Sequence, residues 1–358
     1  MPDELADPNP VAPSLPPSPL RLKVARDALV GNWRALDALS GRAATGAAVK
    51  ANAYGIGVDV AVPVLAAAGC RNFFVAHWGE VPAVLRHVCA QQLAVLHGPL
   101  SDADVAFARA TGVRPVLNSL PQVHRWLGAG GGPCDLMVDT GMNRLGLPLG
   151  DIGDEAIARL DIRTCMSHLA SADEDVAQNE EQRERFDTVR SAIRAQRYSL
   201  ANSAGIGLGQ GYAHDLTRPG LALYGGIPRP GMAEAIRQVA FPQAAVLQVR
   251  SIAAGDPVGY NATFTAPRSM RVGAVALGYA DGYLRCWSGK GRFAWKGREL
   301  AALGRISMDL TVVDLTQAPD CGEGDWLDIA YDPVAASVAS GLSQYELFTL
   351  LGRRFEAA

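Results

Sequence analysis

Apolar residues fall in short blocks through the first part of the chain, and each block is followed by a stretch with helical spacing. Over residues 21–39, Val24, Leu29, Val30, Trp33 and Leu36 lie near helical intervals and predict an amphipathic helix. Apolar runs then recur near 45–49, 72–76, 93–97, 114–117, 134–138, 163–167, 198–201 and 221–224. Strands that alternate with helices imply parallel pairing, because parallel neighbours need crossover connections. Eight such units point to a closed barrel rather than an open doubly wound sheet. Past residue 236 the pattern changes to short strand-like segments separated by Gly and Pro turns: Ala244–Val249, Met270–Ala276, Phe293–Trp295 and Leu310–Leu315. The expected fold class is α/β, with an N-terminal (β/α)8 TIM-like barrel over 21–236 and a C-terminal mostly-β domain over 237–358. Residues 1–20 carry seven prolines and read as an extended or disordered tail.

Composition narrows the function. A chain of 358 residues is long enough for about two domains. With 33 Lys+Arg against 36 Asp+Glu the net charge is −3, which lacks the basic excess of a nucleic-acid binder. No apolar run reaches the length of a membrane span. The N-terminus has acidic residues and no apolar core of a secretory signal, so a cytoplasmic location is expected. The six cysteines form no CxxC pair and read as buried thiols. No HExxH or paired spacing joins the histidines, so no catalytic metal is expected.

Polar groups stand at successive strand ends. Lys50 closes the first strand run, where a lysine is costly unless it is used, and where such a barrel places catalytic groups. A lysine there suits a covalent link to a carbonyl partner; the plain alternative is a lysine at a strand edge. Arg144 lies in the Gly-rich loop after the fifth run, and His168 follows the sixth, where a lone histidine is more often structural. Asn202 and Ser203 follow the seventh run and can open a helix whose amides face an anion. Arg218, Gly220 and Leu221 surround the start of the eighth.

In sequence these segments read AVKANAYG (48–55), DTGMNRLG (139–146), SHLASADE (167–174), NSAG (202–205), RPGLALYG (218–225), VGYNATFTA (258–266), LGYADGY (277–283) and GRISMD (304–309). Together, in this order, they closely resemble the alanine racemase family of fold-type-III pyridoxal-phosphate (PLP) enzymes. The resemblance implies racemisation of L- and D-alanine by two bases on opposite faces of the substrate, with Lys50 linked to PLP as one base. Tyr260, from the partner subunit of a homodimer, would be the other. It implies that Tyr54, Ser203, Gly220 and Leu221 hold the cofactor's phosphate, with Asn202 also binding the cofactor. Arg218 would face the pyridine nitrogen, with His168 in a hydrogen-bonded array beside it. Arg144 would contact the substrate carboxylate or the cofactor's phenolic oxygen. Met308, Asp309 and Tyr279 would line the substrate pocket from the second subunit, and Arg285 and Arg305 would flank its entrance.

Three positions depart from the family pattern: Ile56 for a histidine, Met137 for a lysine that is often carbamylated, and Phe355 near a terminal tyrosine that reaches the phosphate. The loss of the carbamate leaves Arg144 without its usual anion, and either a chloride beside Arg144 or water with the Asn143 amide is expected to take its place. Rival readings are a broader racemase for serine or other small residues, a PLP decarboxylase on the same barrel, and a non-catalytic PLP-binding barrel. The last should lack the C-terminal domain.

Overall fold

Leu20 and Leu22 alternate with less buried neighbours, and this decides how the chain begins. In the computed structural model, which describes residues 15–352 and 354–357, Leu20–Val24 is a strand, and the first helix starts only at Arg26 and runs to Ser40. The strand does not belong to the barrel. It pairs antiparallel with Ala240–Ile252 of the C-terminal domain, Leu20 opposite Ala244 and Val24 opposite Ala240. A two-residue period inside a predicted helix was the missed signal. The helix proper buries Leu29, Trp33 and Leu36 at helical spacing. The expected proline-rich tail falls largely on residues 1–14, outside the described residues.

Seven parallel strands follow in sequence order: Ala47–Ala48, Phe73–Val75, Leu93–Val95, Arg114–Leu117, Pro133–Met137, Asp161–Met166 and Arg197–Ser199. The eighth position is filled by Leu216–Thr217, and not by 221–224. Leu216–Thr217 pairs in parallel with Ala44–Thr45. On its other side Asp215 and Arg218 donate their backbone N–H groups to the carbonyls of Tyr198 and Ala201, which closes the ring. Leu221–Tyr224 is a short 3-10 turn. It is apolar because the first helix covers it: fully buried Asn32 on that helix donates to the Leu223 carbonyl at 3.1 Å and to the Arg237 carbonyl at 2.8 Å. A short apolar run does not distinguish a buried strand from a buried turn.

Inside the barrel Phe74, Ala94, Val116, Met137, Met166 and Leu216 pack on one another. Beneath this layer Asp135 is fully buried and paired with Arg114 at 3.3 Å.

The second domain is a closed antiparallel ring. Its strands are Ala240–Ile252, Met270–Val275, Thr311–Asp314, Arg298–Leu303, Arg292–Trp295 and Trp326–Ile329, each paired with the next, and the last returns to the first. One strand closes it at both ends because it bends. The register of Ala240–Ile252 shifts between Val246 and Gln248, so its first half pairs with Trp326–Ile329 and its second with Met270–Val275. Two of these strands escape a search for apolar runs: Arg298–Leu303 opens on two charged residues, and Trp326–Ile329 is four residues long and interrupted by Asp328. After the ring, helices Pro333–Ser340 and Gln344–Leu350 return to the barrel. The Gln344 side chain bonds both the N–H and the carbonyl of Ile227, at 2.7 and 3.0 Å.

Candidate active site

Lys50 follows the first barrel strand at the C-terminal mouth. The four residues after it, Ala51, Asn52, Ala53 and Tyr54, all have positive φ, between 52° and 54°. This is a left-handed turn built without glycine, at about 1–2 kcal/mol per residue over the right-handed form. Such strain persists only where the surroundings over-determine it, and it collects at functional sites. Here the Asn52 carboxamide oxygen accepts from Val58 N at 2.9 Å, and its carbonyl accepts from Gly57 N at 3.0 Å. Tyr54 stacks on Tyr224 with ring centroids 4.7 Å apart, and the Tyr224 hydroxyl donates to the Ala48 carbonyl at 2.8 Å.

All nine residues expected to hold the cofactor, from Lys50 to Leu221, line one cavity of about 1160 Å³. The loop 218–221 forms one wall. Ser203 Oγ accepts from Gly220 N at 2.9 Å and Ala222 N at 3.2 Å, while Asn202 caps the helix Ser203–Gly207 through Gly205 N at 2.9 Å. A Cβ at residue 220 would lie 2.2 Å from the Tyr54 hydroxyl oxygen. The absent side chain is what lets the tyrosine hydroxyl and the Gly220 backbone converge on one spot. A hydroxyl, bare backbone and a lysine in one cavity suit a phosphorylated carbonyl compound such as PLP.

Lys50, Arg144 and Arg218 bring three basic groups to this cavity. Burial lowers the Lys50 ammonium pKa, with help from Arg144 and Arg218, while Glu80 opposes the shift. Burial pushes Arg218 down to about 10, so the guanidinium stays charged at neutral pH. Burial, then Arg218, Arg144 and Lys50, hold His168 down to about 3, so its ring is neutral. The expected array is built differently from the expectation. Arg218 donates to the Ser199 hydroxyl and, at 2.5 Å, to the Ser167 carbonyl. Among the described residues no side-chain hydrogen bond joins it to His168. Gln182 fixes the histidine's backbone instead, donating to the His168 carbonyl at 3.0 Å.

Arg144 is exposed on this chain. Asp139 does not pair with its side chain: the carboxylate accepts from Gly141 N and Met142 N at 2.8 Å and from Arg144 N at 3.0 Å. Met137 is buried in the barrel interior and reaches the same cavity, and Ile56 is a core residue. Phe355 is a correction. It packs against the hydrophobic core and does not line the cavity. Tyr345 does, with its ring centroid 6.4 Å from that of Tyr54. Helix Gln344–Leu350 delivers it, and the preceding Ser343 with Glu346 makes a capping box that marks this helix in the sequence.

The remaining predicted residues lie elsewhere. Tyr260, Tyr279, Met308 and Asp309 do not line this cavity. They gather on the C-terminal domain: Tyr279 N donates to the Ser307 carbonyl at 3.0 Å, and Ala280 N to the Met308 carbonyl at 2.9 Å. The backbone of Gly259 approaches that of Arg305, and the Arg285 guanidinium sits 5.3 Å from the Tyr279 ring centre. Tyr260 is 65% exposed and Met308 53%.

Residues 24–228 match the family model for the alanine racemase N-terminal domain, and residues 239–358 match that for the alanine racemase C-terminal domain. The chain belongs to the alanine racemase family. Alanine racemase from Acidiphilium cryptum is 41% identical over 342 residues, covering 92% of this chain and 95% of that protein. The alanine racemase of Methylobacterium nodulans is 40% identical over 357 residues, covering 94% and 95%. The crystal structure of alanine racemase from Bartonella henselae with covalently bound pyridoxal phosphate gives a TM-score of 0.87 at 33% identity, over 96% of this chain and 99% of that one. Membership of the alanine racemase family makes this chain a PLP-dependent racemase.

Proposed function

We propose that this chain interconverts L- and D-alanine with PLP, as a homodimer in which each active site takes residues from both copies. The observation that supports it best is the gathering of Lys50, Arg218 and the Ser203–Gly220–Tyr54 cradle in one cavity. When bound, PLP supplies an electron-accepting ring that makes the substrate's α-proton removable. Lys50 takes or returns that proton on one face; burial lowers its pKa, which brings the amine nearer to a working base. The partner subunit's Tyr260 does the same on the other face, with Met308 and Asp309 lining the substrate pocket and Tyr279 at its mouth. Buried Arg218 keeps its proton and would be the residue that meets the cofactor's ring nitrogen. His168 is neutral and lines the cavity without adding charge. Tyr54, Tyr345, Ser203, Asn202 and the 220–221 backbone hold the phosphate, and Arg144 meets a carboxylate. Six free cysteines, four of them buried, fit work in the reducing cytoplasm.

The proposal includes a chloride beside Arg144, in the place that Met137 leaves without a charge. Replacing chloride by a bulky anion at constant ionic strength then lowers activity, and restoring it recovers the rate; indifference to chloride removes that part. The reading as a whole is tested by circular dichroism on enantiopure amino acids with added PLP. Alanine is expected to racemise fastest, with serine behind; no racemisation of any amino acid would overturn the reading.

A further inference from the structure

We propose that Glu80 is a positioning residue for Lys50: its carboxylate fastens the left-handed turn after the lysine to the end of the neighbouring barrel strand. The inference rests on Lys50 carrying the cofactor. Glu80 ends the short turn Trp78–Glu80, which follows strand Phe73–Val75. One carboxylate oxygen accepts from Ala51 N at 2.5 Å, the amide directly after Lys50. The other accepts from Ala76 N at 2.7 Å, with His77 N further off at 3.4 Å. The two oxygens therefore bridge two adjacent strand ends across 29 residues of sequence.

The position of this bridge is informative. Ala51 is the first of the four positive-φ residues, where the chain leaves the strand and the direction of the Lys50 side chain is set. Asn52 secures the far end of the turn through Val58, and Tyr54 is held by its stack on Tyr224. The near end is held by Glu80. A carboxylate suits this task because both of its oxygens accept, so each can take a backbone N–H. An amide of the same size has one acceptor and one donor group, and the donor would face an N–H. Among the described residues Glu80 is also the one carboxylate acting on Lys50, against Arg144 and Arg218. It thus sets both the direction of the lysine and part of its electrostatic surroundings.

The test uses the full chain loaded with PLP. Glu80→Gln keeps the volume and breaks the two-oxygen bridge. We expect the PLP dissociation constant to rise about tenfold and kcat at saturating PLP to fall about tenfold, as for one lost charge-assisted hydrogen bond. KM for alanine should change by less than about threefold, because Lys50 and not the carboxylate-binding side is disturbed. The visible circular dichroism of the bound cofactor should weaken, since its linkage is no longer held in one orientation. Ala51→Gly lets the first residue of the turn take positive φ without a steric penalty, and should recover part of the loss in the Glu80→Gln background. Where Glu80→Gln alone does not fold, the same comparison is read in the Ala51→Gly background. A lower melting temperature with unchanged kcat and unchanged visible dichroism would make Glu80 a stability residue and overturn the proposal. Full recovery in Glu80→Asp, which is too short to bridge, would also overturn it. Failure here leaves the assignment of Lys50 intact, because that assignment is tested by Lys50→Ala.

Discussion

The two halves of the site are built in opposite ways. The barrel half is recessed and fixed: Arg218 is buried between Ser167 and Ser199, Gly220 lies against Tyr54, and a strained turn follows Lys50. The C-terminal half is assembled from tight backbone contacts between loops 278–281 and 304–309, yet it leaves Tyr260 and Met308 open to solvent. The difference teaches that the residues proposed to hold the cofactor meet in one cavity of one chain, whereas Tyr260 and Met308, the proposed second base and a proposed substrate wall, are presented outward.

This contrast can be broken by substitution. Lys50→Ala should remove the visible absorbance of bound cofactor and nearly all racemisation; an unchanged visible spectrum would contradict the role of Lys50. Tyr260→Phe should leave that spectrum in place and still lower turnover by about 10²–10⁴-fold, as for loss of a general base. Single-turnover exchange in deuterated water should show L-alanine affected more than D-alanine, and equal loss for both would argue against separate bases. A smaller effect separates the two candidates for the phosphate end. Tyr345→Phe should weaken PLP binding by about tenfold, the value of one hydrogen bond to a charged acceptor. Phe355→Tyr should leave affinity unchanged, because its ring packs against the core and does not line the cavity. PLP titrations of both variants decide between them, and the reverse outcome would restore Phe355.

The smallest effect concerns the loop that carries Arg144. Burial works against ionisation of Asp139, but the N–H groups from Gly141 onward outweigh it and hold the carboxyl below the usual range. Its stabilising effect is therefore present above the unfolded pKa of about 4 and lost as pH falls through the lower folded value. Asp139→Asn should lower the melting temperature by about 1–3 °C at pH 7, with the gap closing as pH drops below about 4. A gap that is constant with pH would mean that the charge of Asp139 is not what orders the loop.

Much of the fold was legible because parallel barrel strands are apolar on both faces and stand out as runs. What escaped did so for identifiable reasons. Leu20–Val24 has a two-residue period that five residues cannot distinguish from the edge of a helix, and its partner lies more than 200 residues away. Leu221–Tyr224 is as apolar as a strand, but the first helix buries it from outside the sheet. The polar groups that line the barrel cavity were legible because most of them follow strand ends. Tyr345 was not, since it arrives on a helix of the other domain and meets Tyr54 only in three dimensions. Glu80 was not singled out either, because its partners are backbone N–H groups, which leave no trace in side-chain pattern.

The shared site is tested most directly by complementation. Lys50→Ala and Tyr260→Phe each disable every site of a dimer made from that variant alone. If each site takes Lys50 from one copy and Tyr260 from the other, a mixed dimer has one site carrying both substitutions and one carrying neither. Co-expression of the two chains with random pairing should then restore about a quarter of wild-type racemisation. A mixture no more active than its two inactive components would contradict the account, because it would mean that both bases of a site come from the same chain.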